Sequence, residues 1–370
     1  MKNISVYGCL EDLPPGYEKL FLTASAASGF SLSMPWFSNL VATCFDHNTI
    51  LKIYAIEDRH GVRKPCMALA MCYQHAANGW LSPRKLMPIA NYYTSLFSPL
   101  QQESTTDSAE NIRLLAEAIA ADLPRWDMVD LHPLDISHPL FDLTQRAFRL
   151  AGMAVQTYFC FGNWYLEVNG RSFHQYLNGL SGKLRNTLQR KEKILSDANR
   201  IRFEIFSNTA ELGHRILEFE QIYNASWKQP ESCTAFIPGL ILTCAEHGWL
   251  RMGIAYIDNQ PAAAQIWIVK DEVASIYKLA HDKQFEKFSV GTLLTAKLMQ
   301  YVIDIDRVRE VDFLTGDDAY KCDWMSHRRE RWGIVAFNLR TFKGVVAAVM
   351  NIGGRGFKKF FGVNKSSIRE

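Results

Sequence analysis

The period of apolar and polar positions changes repeatedly along the chain, and each change marks an element. From 34 to 45 (MPWFSNLVATCF) the apolar residues recur at three and four, predicting a helix; apolar runs near 50–57 and 66–75 predict strands, with a further strand around 91–98. A helix is expected at 108–122 (SAENIRLLAEAIAAD), where Asp107 or Ser108 can cap, followed by a strand at 126–132, a helix at 139–151 and a strand at 153–167. This half alternates strand and helix and reads as α/β.

The second half opens on a predicted helix, 172–197, whose Phe173, Leu177, Leu180, Leu184 and Leu188 form a narrow apolar stripe beside a basic face. A strand at 200–207 and helices at 209–227 and 235–247 precede a hairpin. LRMGIAYI and AAAQIWIV flank Asp258-Asn259-Gln260-Pro261, a turn composition between β-prone runs. A third strand, 273–280, passes through a polar turn into a helix at 290–304; then come a strand at 308–314, a short helix from 317, a strand at 332–339 and a helix from 341. A weaker echo of strand-strand-helix-strand in the first half predicts that the halves are structural repeats.

With 370 residues, 48% hydrophobic and 21% charged, the chain is globular material for two domains. It contains no run of about 18 uncharged apolar residues, and MKNISVYGCLEDLPP lacks the apolar core of a signal peptide, so a cytoplasmic protein is expected. The eight cysteines form no CxxC pair and fall in apolar or periodic segments, which favours buried thiols over a zinc site or a disulfide framework; no metal is expected. Residues 340–370 hold seven Lys/Arg against one Glu, a net +6, leaving −3 for the remainder of a chain whose total is +3.

Three stretches carry candidate chemistry. In YKLAHDKQFEKFSVGTLL (277–294) a small-residue turn leads into a helix, whose first N–H groups and partial positive charge suit a phosphate. Gly291 lets a large group approach, Ser289 can cap the helix or donate to an oxygen, and Lys283 and Lys287 add charge. In DFLTGDDAYKCDW (312–324) an acid, a phenol and an ammonium (Asp312, Tyr320, Lys321) meet near a strand end, either as proton donors and acceptors or as a structural network in which Lys321 pairs with Asp317 or Asp318. In SGKLRNTLQRKEK (181–193) Lys183, Arg185, Arg190, Lys191 and Lys193 face one Glu192, as a solvated face or as a seat for an anionic partner.

In this order and spacing, these stretches of residues 165–340 resemble the acyltransferase domain of CelD-like and FemAB-like members of the GNAT superfamily, which typically hold two GNAT-like halves in one chain. The resemblance implies an α/β fold of two halves, 1–165 and 166–340, each a mixed, largely antiparallel sheet flanked by helices, followed by a basic amphipathic tail at 341–370. It implies transfer of an acyl group from acyl-CoA to a primary amine, with the CoA pyrophosphate on Phe288, Ser289, Val290, Gly291 and Thr292, and Lys287 beside them. The sequence departs from the fuller Gln/Arg-x-x-Gly-x-Gly/Ala pattern, since Glu286 stands at the Gln/Arg position and Ser289 at the first glycine; FemX-like relatives use aminoacyl-tRNA instead.

On this reading Asp312 or Asp282 takes the proton of the amine, His281 is a further candidate base, Tyr320 protonates the departing thiolate and Lys321 steadies negative charge. Lys183, Arg185, Arg190, Tyr277 and Trp324 are the candidate substrate contacts. The acceptor is a lipid amine, such as the sphingoid base that some GNAT-like bacterial ceramide synthases acylate, or a sugar amine of an exopolysaccharide precursor. Segment 340–362, with Val345, Val346, Val349, Met350 and Ile352 followed by Arg355, Lys358, Lys359, Phe360 and Phe361, either packs on the core or lies on an anionic membrane, and Gly353-Gly354 is expected to break the helix. An aminoacyl-tRNA-dependent transferase and a non-catalytic scaffold of the same fold are the competing readings; nucleic acid is expected as a partner only under the first of these.

Overall fold

The computed structural model describes residues 2–58, 64–74, 82–102 and 107–360, with backbone alone for 352–360. In chain order its elements are β1 (Lys2–Tyr7), α1 (Gly16–Ser28), α2 (Met34–Cys44), β2 (Thr49–Asp58), β3 (Lys64–Gln74), β4 (Lys85–Pro88), β5 (Leu100–Gln101), α3 (Ser108–Ala121), β6 (Met128–Asp135), α4 (Pro139–Leu150) and β7 (Met153–Glu167). They continue with α5 (Phe173–Gly179), α6 (Gly182–Asp197), β8 (Ile201–Phe206), α7 (Leu212–Asn224), α8 (Phe236–Glu246), β9 (Leu250–Ile257), β10 (Gln260–Lys270), β11 (Val273–His281), α9 (Val290–Gln300), β12 (Glu310–Asp312), β13 (His327–Asn338) and α10 (Phe342–Phe360).

The chain forms two compact units, one of residues 1–34, 45–160 and 331–370 and the other of 35–44 and 161–330. Two segments thus depart from a division at 165 and 340. Most of α2 packs within the second unit, where Trp36 meets Phe236 edge-on at 5.5 Å and Asn39 Nδ2 donates to the Phe236 carbonyl at 3.2 Å. Most of β13, with α10, belongs to the first.

In the first unit β1, β2, β3 and β4 are antiparallel neighbours, β4 and β6 are parallel, and β13 closes antiparallel on β6. The apolar faces of α3 (Ile112, Leu115, Ile119) and α4 (Leu140, Phe141, Phe148) share one core with Met67, Leu69, Val129 and Leu131 of the sheet. Where the β4–β6 pairing ends, Asp130 is buried and accepts from Tyr158 Oη at 2.6 Å while pairing with Lys85 at 2.7 Å. Burial alone would raise its pKa; His132 and Lys85 outweigh that and hold it at about 2.

In the second unit the end of β7 pairs antiparallel with β12, β12 runs parallel to β11, and β11, β10, β9 and β8 are antiparallel neighbours. Parallel strands need a crossover, which α9 supplies between β11 and β12. Its Leu294 and Leu298 fill the space above Gly253 and share a core with Leu188 and Leu195 of α6 and Trp267 of β10. Each unit therefore has the expected mixed, largely antiparallel sheet flanked by helices.

Local chemistry accounts for the departures from the predicted elements. The helix expected at 172–197 is two, because Ser181 accepts from Leu184 N–H at 3.3 Å and starts α6 afresh after α5, which Ser172 and Gln175 cap reciprocally. No strand forms over 91–98, since Asn91 and Thr94 tie the backbone into a turn through Tyr93 N–H to Asn91 Oδ1 at 3.0 Å and Thr94 N–H to Asn91 O at 2.9 Å. The backbone of α10 runs through Gly353-Gly354 unbroken. The expected basic cluster of Arg355, Lys358, Lys359 and Phe360 is described as backbone alone, and Phe361 lies outside the described residues.

Gly333 sits where β13 shifts register against β6, and a Cβ there would overlap the Tyr158 ring. Gly333→Ala is expected to lower stability by about 1–3 kcal/mol through overpacking, read as a lower urea midpoint at unchanged slope.

Candidate active site

β11 pairs along its length with β10, but with β12 only at Val273↔Glu310, Ala274↔Val311 and Ser275↔Asp312. Beyond that point the two parallel strands part, and residues 276–281 flank the opening. Each strand has its own reason to diverge. On β11, Trp267 of β10 opposes Ile276 while Ile266 opposes Lys278, so Tyr277 is an inserted residue, and such a bulge bends and twists its strand.

On β12 the cause is a buried polar network. Asp312 Oδ1 accepts from Leu314 N–H at 2.7 Å and from Asn163 Nδ2, whose amide also donates to the Leu314 carbonyl at 2.9 Å. Asp312 Oδ2 accepts from Arg329 Nη2 at 2.7 Å, and Arg329 also donates to Glu310 at 2.6 Å and to Asn163 Oδ1 at 2.7 Å. These bonds draw the chain after Asp312 towards β7, where Asn163 forms a bridge to Gly316, and Leu314 takes a left-handed conformation at φ 54°. Burial works against the charge of Arg329, but Asp312 and Glu310 more than offset it, so the guanidinium stays protonated; burial pushes Glu310 up, against the pull of Arg329.

Asp312 is thus a positioning carboxylate with both oxygens occupied. That engagement counts against the proton-accepting role expected of Asp312 or Asp282. Asp282 is likewise engaged, accepting from Gln284 N–H at 2.9 Å and Gln284 Nε2 at 2.7 Å as it caps the 3-10 turn Lys283–Phe288. Lys321 is buried and donates to the carbonyls of Thr315 at 2.6 Å and Gly316 at 3.2 Å, with Asp318 at 3.1 Å, so it clamps the turn after β12. Tyr320 is 43% exposed, stands edge-on to Phe313 at 5.8 Å, and has its phenol pushed up to about 12 by burial and the charge of Asp318, so it is a proton donor at neutral pH.

His281 closes β11 and differs from these groups. Its ring lies against Trp227, centroids 4.6 Å apart, and burial lowers its pKa although Glu286 and Asp282 oppose the shift. A neutral imidazole with no protein hydrogen bond among the described residues stands at the mouth of the opening. A Cβ placed on Gly291 would come to 3.4 Å from its Nδ1, so His281 also borders the start of α9.

That helix start is uncapped. Ser289 adopts φ 55° and ψ 35°, and its side chain makes no capping bond, contrary to one of the two roles expected of it. Val290 is buried, while Phe288, Gly291 and Thr292 are half-buried, which leaves the first turn accessible from one side. Lys191 of α6 donates to the Lys287 carbonyl at 2.6 Å, and Lys287 and Arg200 lie over the Phe288 ring at 5.1 and 5.2 Å, so cations surround the turn. Earlier in α6, Lys183 and Arg190 are exposed and Arg185 half-buried, with no ion pair among the described residues. Tyr277 meets Trp36 edge-on at 5.9 Å. Trp324 is buried in the core of the second unit, and its backbone carbonyl accepts from Tyr176 Oη at 2.7 Å.

Sequence reasoning missed a cluster on the loop after α7, where Trp227, Lys228 and Glu231 approach Lys278 and Tyr223. Tyr223, Trp227, Lys228 and Glu231 lie within one short polar stretch that resembles an ordinary loop, and Lys278, which gives the cluster its charge, stands on a strand far along the chain. Among the described residues no group of three or more His, Cys, Asp or Glu gathers to hold a metal ion.

Residues 182–322, which include α6, the α9 turn and the parting strands, match the family described as acetyltransferase (GNAT) domain. The second unit carries a GNAT acyltransferase domain. No curated protein matches the sequence. Among solved structures, FemX superposes with TM-score 0.61 at 10% identity, covering 91% of this chain and 98% of that one. A tandem GNAT protein from the clavulanic acid biosynthesis pathway gives 0.51 at 12% identity, covering 90% and 98%. The C-terminal domain of a putative lysylphosphatidylglycerol synthetase from Agrobacterium fabrum gives 0.52 at 12%, covering 90% and 95%. At these identities the likeness concerns the fold alone, and it runs over most of the chain.

Removing the Asp312 carboxylate would leave Arg329, Asn163 and the Leu314 N–H without an acceptor. Asp312→Ala is expected to cost about 3 kcal/mol and Asp312→Asn less, measured by urea unfolding.

Proposed function

We propose that the acyltransferase moves an acyl group from acyl-CoA to a primary amine at the opening between β11 and β12. The observation that carries this reading is the conjunction of two parting parallel strands, an uncapped helix start ringed by cations, and a neutral His281 bordering both. The CoA pyrophosphate lies on the first turn of α9, at Phe288 to Thr292, with Lys287 and Lys191 beside it. The thioester lies along β11, where strand N–H groups no longer used for pairing with β12 polarise its carbonyl and stabilise the oxyanion. A neutral amine attacks the carbonyl carbon, the N–C bond forms, and His281 takes the amine's proton. The C–S bond then breaks and Tyr320 protonates the departing thiolate.

The acceptor is a lipid amine such as a sphingoid base, or a sugar amine. The lipid choice is favoured by α10, where Phe342 (79% exposed), Val349 (66%) and Met350 (71%) line up with Val345 and Val346 at helical spacing, while Ala348 packs on Val335 and Phe337. The sequence following this apolar stripe is strongly basic, so the helix suits the surface of an anionic membrane. No helix among the described residues is long and apolar enough to cross one. A second reading, aminoacyl transfer from tRNA, is favoured by the unpaired Lys183, Arg185 and Arg190 of α6, and it requires activity to fall steeply with salt.

Calorimetric titration with CoA, acetyl-CoA and palmitoyl-CoA is expected to show binding that Gly291→Trp abolishes; absence of binding to all three would overturn the acyl-CoA reading. For an enzyme that turns over, His281→Gln is expected to lower kcat about 10²-fold or more, and wild-type kcat should fall with acidity only below the ordinary histidine range, since His281 must be unprotonated and its pKa is lowered. In vesicle sedimentation, phosphatidylglycerol vesicles should retain the protein and phosphatidylcholine vesicles should not, with Val349→Glu and Met350→Glu together weakening retention and leaving acyl transfer to a soluble amine intact.

A further inference from the structure

Three lysines from three different elements gather beside the proposed acyl-transfer opening. Lys278 of β11 pairs with Glu231 at 2.5 Å, and the same carboxylate accepts from Tyr223 of α7. Lys321 of the turn after β12 pairs with Asp318 and donates to two carbonyls. Lys228 completes the group. Its ammonium stands 5.9 Å from the ring centroids of both Tyr223 and Trp227, and among the described residues no carboxylate lies within ion-pairing distance of it. The cluster thus holds three cations and two anions, and each anion is already engaged by a different lysine.

A half-buried ammonium with no carboxylate in ion-pairing contact is unfavourable, and such a group set against two aromatic rings suits a ligand that supplies the missing contact. The electrostatics agree with that reading. Burial and the Lys278 ammonium pull Lys228 down to about 8; Lys321 adds to the effect, while Glu231 and Asp318 oppose it. Trp227 also packs on His281, so the cluster adjoins the group that receives the amine's proton. We propose that Lys228, between the Tyr223 and Trp227 rings, binds an anionic group carried by the acceptor, so that the acceptor is a primary amine bearing a phosphate or carboxylate close to its nitrogen. The assignment of an acceptor rests on the acyl-transfer reading; the existence of an anion site does not. The site differs from the helix start of α9, being built from the loop after α7, from β11 and from the turn after β12.

The test begins without catalysis. Sodium phosphate and sodium acetate are titrated by calorimetry at pH 7, at ionic strength matched with sodium chloride, into wild type, Lys228→Met and Gly291→Trp. Phosphate, acetate or both should bind wild type and Gly291→Trp alike and bind Lys228→Met about tenfold or more weakly. Preference for one anion identifies the group. Equal binding to Lys228→Met, loss in Gly291→Trp instead, or no binding of either anion would overturn the proposal. Acetic anhydride labelling of wild-type Lys228, read by mass spectrometry, gives the same answer without a variant: the bound anion should protect this lysine, and lack of protection would count against the site. Lys228→Met should also raise Tm at pH 7, a gain that vanishes towards pH 10, because the unfolded chain holds the lysine proton more firmly than the folded one through that interval. With acetyl-CoA as donor, O-phosphoethanolamine should show a lower KM than ethanolamine, and Lys228→Met should erase the difference. Anion binding without CoA binding would sink the acyl-CoA reading and leave this site standing.

Discussion

The direct pairing of Asp312 with Arg329, with Asn163 bonded to both, is the constraint on which the second unit depends. Two parallel strands in register have no reason to separate, because continued pairing satisfies every backbone group. Separation needs an alternative partner for the chain that leaves, and the buried carboxylate provides one by accepting from Leu314 N–H while the Asn163 amide donates to Leu314 O. The bulge at Tyr277 acts on the other strand in the same sense. Once the strands part, the chain on either side of the gap is committed to different neighbours, and β11 can deliver its end to the start of α9.

This arrangement explains why titratable side chains near the opening take such different roles. Asp312, Asp282 and Lys321 are each saturated by backbone or side-chain partners, so their chemistry is spent on shape. His281 and Lys228 meet aromatic faces instead, and burial shifts each towards its neutral form. The division follows from environment and not from residue type. An aspartate at a strand end is a base when solvent or substrate can reach it and a strut when arginine and amide close around it.

The same distinction sets what was legible in the sequence. The hairpin of β9 and β10 was readable because period-two runs flank a turn of Asp, Asn, Gln and Pro, and α9 because its apolar positions recur strictly after a polar turn. β1 and α1 were not, since what holds them is the buried Glu57, which accepts from Ser5, Tyr7 and Tyr17, a contact between positions far apart in sequence. The break at Ser181 was hidden because the apolar stripe continues across it. For the site, Gly291 and Ser289 stood out through local conformation, whereas Lys228 becomes meaningful only when β11 and the turn after β12 are brought to it. The engagement of Asp312 was equally invisible, because Arg329 and Asn163 lie on other strands.

Asp130 offers a second view of the same problem. It too stands where a short parallel pairing ends, on the later strand of the pair, but Tyr158 and Lys85 hold it, and the chain after β4 makes a long excursion before α3 instead of turning directly into a helix. The first unit therefore keeps the short parallel pairing and lacks the compact strand-to-helix joint. A fork can be propped by several kinds of polar contact, but a phosphate seat demands one geometry. A chain that carries a short parallel pairing in each unit can give one of them a strand-to-helix joint and leave the other without it, and the unit without it is free to carry a different property, such as the exposed apolar face of α10.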